Sequence, residues 1–324
     1  MPPCPICLSP NISETLHVKE MCKGTREIFE YCVCANCRSA YIENFPADIA
    51  KYYEGYYSLD DHPPTIEGST LKQAAIALYA NTVVVSGLNR LFKRFFRCPT
   101  PWQMKFLSPN LQAFLFLGAQ ASARVLDVGS GSGEFVRMMQ RFGYRNAIGI
   151  DPFLTDEQCH EYVHRADIFS VTGTYDIILF NHSLEHMENP AAALAACQHL
   201  LSNDGTIVVQ VPNMDAQEFV KFKEYWCWLH APYHYAIPSR RGLEAMACRS
   251  GFKVVDSICT SRPDHYLYSD EYMRDISDRD PQSVRRSFEN GSFDKAEYAE
   301  LGRLAQSLNQ NLTGDWIAYY LERC

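Results

Sequence analysis

Val125-Leu126-Asp127-Val128-Gly129-Ser130-Gly131-Ser132-Gly133-Glu134-Phe135 is followed by a helix-length stretch and then by Ala147-Ile148-Gly149-Ile150-Asp151. The short apolar run 125–128 has the composition of a parallel strand buried on both faces. Gly129, Gly131 and Gly133 come directly after it, and Phe135, Met138, Met139 and Phe142 recur at helical spacing. The pattern predicts strand, glycine turn, helix and a second strand. Glycines let the backbone take positive φ and approach a ligand closely, while the helix start offers N–H groups without partners. Asp151 closes the second apolar run about 20 residues on, where a strand end places a carboxylate to accept both hydroxyls of a ribose.

The glycine spacing separates two kinds of ligand. A dinucleotide fingerprint, G-x-G-x-x-G, seats a pyrophosphate on the helix N-terminus. Here the third glycine comes one place early and Glu134 fills the expected slot, while Asp127 adds a second carboxylate inside the strand. Both would repel a pyrophosphate. S-adenosylmethionine instead carries a sulfonium, an ammonium and no phosphate. Asp-x-Gly-x-Gly-x-Gly resembles motif I of the class I methyltransferases, and the resemblance continues in register. Tyr175 to Phe180 followed by Asn181-His182-Ser183-Leu184-Glu185-His186-Met187 and Pro190 is similar to the family's fourth-strand segment ending in Leu-Glu-His. Ala166-Asp167-Ile168 lies ahead of it, where relatives hold the adenine amino group with the acidic side chain. Leu200 to Pro212 reads as a helix end, a turn at Asn203-Asp204-Gly205 and a β-branched strand from Ile207 to Val211. The resemblance implies S-adenosylmethionine as cofactor, and a site built from Asp127, Gly129, Ser130, Gly131, Gly133, Asp151, Pro152, Asp167, Ile168 and Asn181.

A second signal lies at the N-terminus. Cys4-Pro5-Ile6-Cys7 and Cys34-Ala35-Asn36-Cys37 form two C-x-x-C knuckles, separated by a stretch containing the β-formers Ile28, Phe29, Tyr31 and Val33. Four thiolates make the closed tetrahedral site of structural zinc, so Cys4, Cys7, Cys34 and Cys37 are the expected ligands. Cys22 and Cys32 are competing candidates, and a redox pair is the other reading of each knuckle. A closed site has no open coordination position, so its expected role is to fold a small domain that lacks its own core. Beyond the second knuckle come a proline turn and Tyr52-Tyr53-Glu54-Gly55-Tyr56-Tyr57. This order ahead of motif I resembles a bacterial group of class I methyltransferases with an N-terminal four-cysteine zinc-binding domain, whose members modify sugars or secondary metabolites. The tyrosines read either as packing of an aromatic linker or as part of the binding site.

The expected architecture is α/β, a Rossmann-like seven-stranded class I methyltransferase sheet with its last strand antiparallel. A zinc-ribbon-like domain is expected over 1–46, a helical linker or lid over 47–118, and the catalytic domain over 119–324, with insertions at 213–238 and 262–312. Val254 to Cys259 and Asp315 to Leu321 supply strands six and seven, and Ser239 caps a helix that buries Leu243, Met246 and Ala247 and ends at Gly251-Phe252. Residues 69–97 read as a helix or helix pair with a basic end. Residues 264–312 are polar and helical in pattern, suited either to shaping the substrate site or to a homodimer interface.

Composition narrows the partners. A net charge of −8 argues against a polyphosphate backbone as main partner, even with the local patch Arg90, Lys93, Arg94 and Arg97. Thirteen cysteines without a charged start and apolar h-region point to a reducing cytoplasm. The uncharged runs are too polar for a membrane span. A small-molecule acceptor is therefore expected. Two other classes stay open: an RNA methyltransferase gripping nucleic acid with its zinc ribbon, and a non-catalytic S-adenosylmethionine-binding scaffold. Deprotonating an acceptor calls for a base, and histidine suits neutral pH. The candidates are His182 and His186 beside the methyl-donor site and His230 and His234 on the loop from Tyr225 to Tyr235, with Glu185 as partner or ion ligand.

Overall fold

The structure is a computed structural model and describes residues 3–53 and 109–324. Four parallel connections and an antiparallel closure build a seven-stranded sheet, ordered β10-β11-β8-β7-β4-β5-β6. Its strands are β4 (Val125–Val128), β5 (Ala147–Ile150), β6 (Val163–His164), β7 (Tyr175–Asn181), β8 (Leu201–Pro212), β10 (Phe252–Cys259) and β11 (Trp316–Arg323). β4 pairs in parallel with β5 and β7, and β11 runs antiparallel to both β8 and β10. This is the expected seven-stranded α/β sheet with its last strand antiparallel. The chain builds outward from β4 to β6 and then returns to the other side of β4 for β7. Such a reversal opens a crevice beyond the carboxyl ends of the strands.

Both faces of the sheet are covered, which is why its strands read as continuous apolar runs. In β7, Ile178 and Phe180 belong to one core and Ile177 and Leu179 to the other. In β11, Ile317, Tyr319 and Leu321 face the first core while Ala318 and Tyr320 face the second. Helices α1 (Ala50–Tyr53), α2 (Pro109–Phe116), α3 (Glu134–Arg141), α4 (Pro190–Leu200), α5 (Gln217–Phe222) and α6 (Arg240–Arg249) follow in chain order. Met139 and Val136 of α3 pack with Phe114 of α2 in the second core. Leu194 of α4 joins Leu243, Met246 and Ala247 of α6 in the first. Ser239 caps α6 as expected, its Oγ accepting the Gly242 N–H at 3.0 Å.

One local expectation changes. Asn203-Asp204-Gly205 does not end an element; it lies inside β8. Tyr175 of β7 pairs with Leu201 and Ile177 with Thr206, so the polar triplet is taken up as a bulge in the ladder. Turn-forming residues at a strand's start give the same composition as a turn, and only the neighbouring strand distinguishes the two.

A second sheet, ordered β1-β2-β3-β9, holds β1 (Ile12–Lys19), β2 (Ile28–Cys34), β3 (Ala40–Ile42) and β9 (Ala236–Ile237), all antiparallel. Its fourth strand comes from the segment after β8. A third core, including Tyr31, Tyr52, Trp226 and Tyr233, fills the space between this sheet and residues 214–237. Helices α7 (Asp264–Met273), α8 (Val284–Asn290) and α9 (Lys295–Gln310) form the polar insertion before β11. It docks on the β1–β2 hairpin through Lys19 Nζ to Asp275 at 2.8 Å and Arg26 Nη2 to Asp280 at 2.7 Å. The expected helices at 69–97, the basic patch and Tyr56-Tyr57 lie outside the described residues, as does most of the expected linker at 47–118.

Candidate active site

The glycine loop forms the floor of the crevice. Gly129 and Ser130 both donate their N–H groups to the Ile150 carbonyl, at 2.8 and 3.0 Å, which folds the loop back over the end of β5. Gly129 and Gly133 have φ of +74° and +81° and no room for a side chain: a Cβ would stand 2.5 Å from Ser183 Cβ and 2.2 Å from Val163 Cγ2. Gly131 differs. Its φ is +52°, yet a Cβ there would meet nothing within 4 Å, so it faces open space above the loop. Gly149, inside β5, is a residue that motif reading passed over. A Cβ on it would meet Ser130 Oγ at 2.5 Å. A glycine inside a strand was the available signal, since it marks the close approach of another segment.

Two carboxylates bracket this loop. Asp151, buried at the end of β5, accepts the Gly131 N–H on Oδ2 at 3.1 Å and the Phe153 N–H on Oδ1 at 2.9 Å. Asp127 accepts an N–H of Asn181 at 3.1 Å, and burial pushes its carboxyl up to about 7, with the neighbouring Asp151 charge adding to the rise. Ser183 Oγ donates to the Val128 carbonyl at 2.6 Å, tying β7's end to β4. Asp167 is exposed beyond β6, and its Oδ1 accepts the N–H groups of Phe169 and Ser170 at 2.9 and 2.8 Å, while Ile168 is buried in the core. Pro152 is exposed directly after Asp151. Phe153 and Phe169 are exposed by 83% and 64%, which leaves two aromatic faces near the Asp151 and Asp167 turns. Sequence reading missed both; an aromatic residue two places after each aspartate was the signal.

Past Asn181 the chain turns sharply. His182 has φ +51°, a conformation rarely kept by a side-chain-bearing residue outside a functional or over-determined turn. Its Nδ1 stands 3.4 Å from Glu185 Oε1, and its buried Nε2 has no hydrogen-bond partner among the described residues. The ring lies against Trp316, with centroids 4.3 Å apart, and stacks toward Trp228. Trp228 in turn meets His265 and Trp316 at 4.8 and 4.7 Å. Trp228, Trp316 and His265 come from the loop, β11 and α7, so only folding brings them to His182. Asp315 underpins the cluster: it accepts Trp226 Nε1 at 2.6 Å and faces His265 Nδ1 at 3.5 Å. Burial, reinforced by Asp315, lifts Glu218 beside it to about 10.

The remaining histidines form a second group. His186 Nδ1 lies 2.9 Å from the Tyr233 carbonyl and 3.2 Å from the Tyr53 hydroxyl. His234 Nδ1 lies 2.9 Å from the Trp228 carbonyl, and its ring meets those of His186 and His230 at 4.7 and 4.9 Å. Burial depresses all three: His230 to about 3, His234 well below the ordinary histidine value, and His186 in the same direction. The Tyr-Tyr pair divides its labour. Tyr52 is buried in the third core with its hydroxyl on Glu27, and Tyr53 reaches His186.

The two cysteine knuckles have matching geometry. In each, the first Cys N–H donates to the residue five places on (Cys4 to Ser9, Cys34 to Ser39), and the residue after the second Cys returns its N–H to the first. Those residues, Leu8 and Arg38, both adopt φ near +65°, at 64° and 65°. The four sulfurs of Cys4, Cys7, Cys34 and Cys37 gather within 4.8 Å of one another. Cys22 and Cys32 lie elsewhere, in the cores.

Residues 102–257 match the family model described as a methyltransferase domain. No curated protein matches the chain. Solved structures similar to it include a SAM-dependent methyltransferase from Archaeoglobus fulgidus, at 18% identity and TM-score 0.42, covering 67% of this chain and 95% of that one. The cyclopropane synthase MmaA2 from Mycobacterium tuberculosis aligns at 16% identity and TM-score 0.38, over 62% of this chain and 78% of its own. The mitomycin 7-O-methyltransferase MmcR aligns at 13% and 0.40, over 69% and 60%. The matched span takes in β4 to β9, α2 to α6 and most of β10, and leaves out β1, β2, β3 and the insertion before β11. Among the described residues, no helix is long and apolar enough to cross a membrane.

Proposed function

We propose that this protein transfers a methyl group from S-adenosylmethionine to a small-molecule acceptor, a nucleotide-linked sugar or natural-product intermediate, in a reducing cytoplasm. The observation that carries the reading is the pair Asp127 and Asp151 around the glycine loop. Asp127 beside the loop disfavours a pyrophosphate and attracts a cationic adenosine compound, while Asp151 suits its ribose. Asp151 would take the ribose hydroxyls on lone pairs that its backbone contacts leave available, since each carboxylate oxygen accepts more than one hydrogen bond. Gly129, Ser130, Gly131 and Gly133 would let the cofactor approach the backbone, Asp127 and Asn181 would face its ammonium end, and Pro152, Asp167 and Ile168 would border the adenine. Bound there, the cofactor supplies a methyl on sulfonium for in-line displacement. The protein's task is then alignment and removal of the acceptor proton.

His182 is the base in this reading. Its Nε2 lacks a partner among the described residues, Glu185 stands behind Nδ1, and Trp228 and Trp316 offer aromatic faces for a ring-shaped acceptor. Zinc at the cysteine cluster has a structural role here. Sulfurs at 2.3 Å from a tetrahedral ion stand about 3.8 Å apart, and Cys4–Cys37 and Cys7–Cys34 are separated by 3.7 and 3.5 Å. Four thiolates fill the coordination sphere, so this site takes no part in the reaction.

Calorimetry on the zinc-loaded chain tests the reading: heat with S-adenosylmethionine and its demethylated product, none with NAD, and label transfer to a sugar-nucleotide or natural-product pool. No donor heat refutes it. Donor heat with label entering RNA instead moves the assignment to nucleic acid, and donor heat without transfer to any acceptor points to a scaffold.

A further inference from the structure

Glu185, His186 and His234 converge although they come from different segments, with a donor atom of each within 4.8 Å of the others. Glu185 and His186 sit in the helical turn after β7, and His234 in the loop leading to β9. The Tyr235 N–H donates to the Glu185 carbonyl at 2.7 Å, and the Ile42 N–H to the Tyr235 carbonyl at 3.0 Å, so the two segments are stapled together beside these side chains. The tautomers follow from the partners. A carbonyl only accepts, so His186 Nδ1 and His234 Nδ1 must carry their protons toward Tyr233 and Trp228. That leaves Nε2 of each as a lone pair, the arrangement in which metal-bound histidines are held by backbone carbonyls. Glu185 is 1% exposed, and neither carboxylate oxygen has a hydrogen-bond partner among the described residues. A buried carboxyl group with both oxygens unpaired calls for a partner, and a metal cation supplies one.

We propose that these three side chains hold a divalent transition-metal ion, zinc by donor class, at a site separate from the four cysteines. Two imidazoles and one carboxylate leave open coordination positions, unlike the thiolate cluster. The site lies on the turn that follows Asn181 at the end of β7, so its use on an acceptor rests on the methyl-transfer reading; its affinity for metal does not. The competing arrangement leaves Glu185 facing His182 Nδ1, 3.4 Å away, and needs no ion.

The test uses the full chain, stripped of metal, reloaded with zinc and desalted, with zinc counted per chain. Two ions are expected in the wild type and one in Glu185→Gln and in His234→Gln, whose affinity for the second ion falls on the order of 100-fold. Cobalt loading adds an independent readout. The thiolate site gives intense charge-transfer absorption, and the second ion adds weak bands that Glu185→Gln abolishes. One zinc per wild-type chain overturns the site, as do two in both variants. Should His234→Gln not fold, Glu185→Gln gives the same count. Donor calorimetry on the same samples separates the readings: two zinc ions without donor heat leaves the metal site standing and removes the methyl-transfer assignment.

Discussion

Asp127→Asn removes a charge that the ligand-free fold holds unfavourably, and its effect can be worked out with its sign. The carboxyl is raised from 3.8 to about 7, first by burial and then by the Asp151 charge. Three pKa units correspond to about 4 kcal/mol. Because the folded-state pKa is the higher one, the native state binds more protons between roughly pH 4 and 7, and stability falls as pH rises through that window before levelling off. Of that loss, about 2 to 3 kcal/mol falls between pH 5 and pH 8. Asparagine is isosteric and can still accept from Asn181 through its amide oxygen, so the variant escapes the charge penalty without leaving a hole. Urea denaturation of ligand-free protein should show Asp127→Asn gaining on the wild type by that amount as pH goes from 5 to 8. The same variant should bind S-adenosylmethionine weakly, and wild-type binding near pH 6.5 should release a proton, detected as a dependence of the calorimetric heat on the buffer's ionisation enthalpy. An advantage for Asp127→Asn that is the same at both pH values would refute the buried-charge account, and wild-type binding without proton release would separate the carboxylate from the donor.

Gly133→Ala should lower stability by about 2 to 4 kcal/mol in thermal melts, combining left-handed strain with a collision against Val163. Gly131→Ala should cost only the strain, about 1 to 2 kcal/mol, and should be read chiefly as lost cofactor affinity in calorimetry. Trp226→Phe, which takes the donor from buried Asp315, should destabilise by about 2 to 3 kcal/mol in urea. Glu218→Gln should stay within about 1 kcal/mol of wild type at pH 7 in the same assay, because a carboxyl raised to about 10 is already protonated there. Stripping metal with a strong chelator should lower the melting temperature of the whole chain, since Cys4, Cys34 and Cys37 are part of the same core as α6 and β8.

Much of the sheet was legible because its strands are buried on two faces and flanked by distinct punctuation. Val125 to Val128 and Gly129 to Gly133 declare a strand and a loop through composition alone, and Ser239 declares a cap. The knuckles are legible for a similar reason: metal spacing is local. Asn203-Asp204-Gly205 was misleading because a bulge and a turn use the same residues, and the difference lies in what β7 offers opposite them. β9 was invisible at two residues, and it forms only because β3 presents an edge.

The sequence by itself determined the crevice floor and its charge, because backbone freedom and carboxylate placement are properties of consecutive residues. It also nominated the histidines. Only the tertiary structure decided which of them act together: His182 with Trp228, Trp316 and His265, and His186 with Tyr53 and His234. Those contacts join segments far apart in the chain, and side-chain direction at a left-handed residue such as His182, or tautomer at His234, depends on carbonyls and rings supplied by other elements.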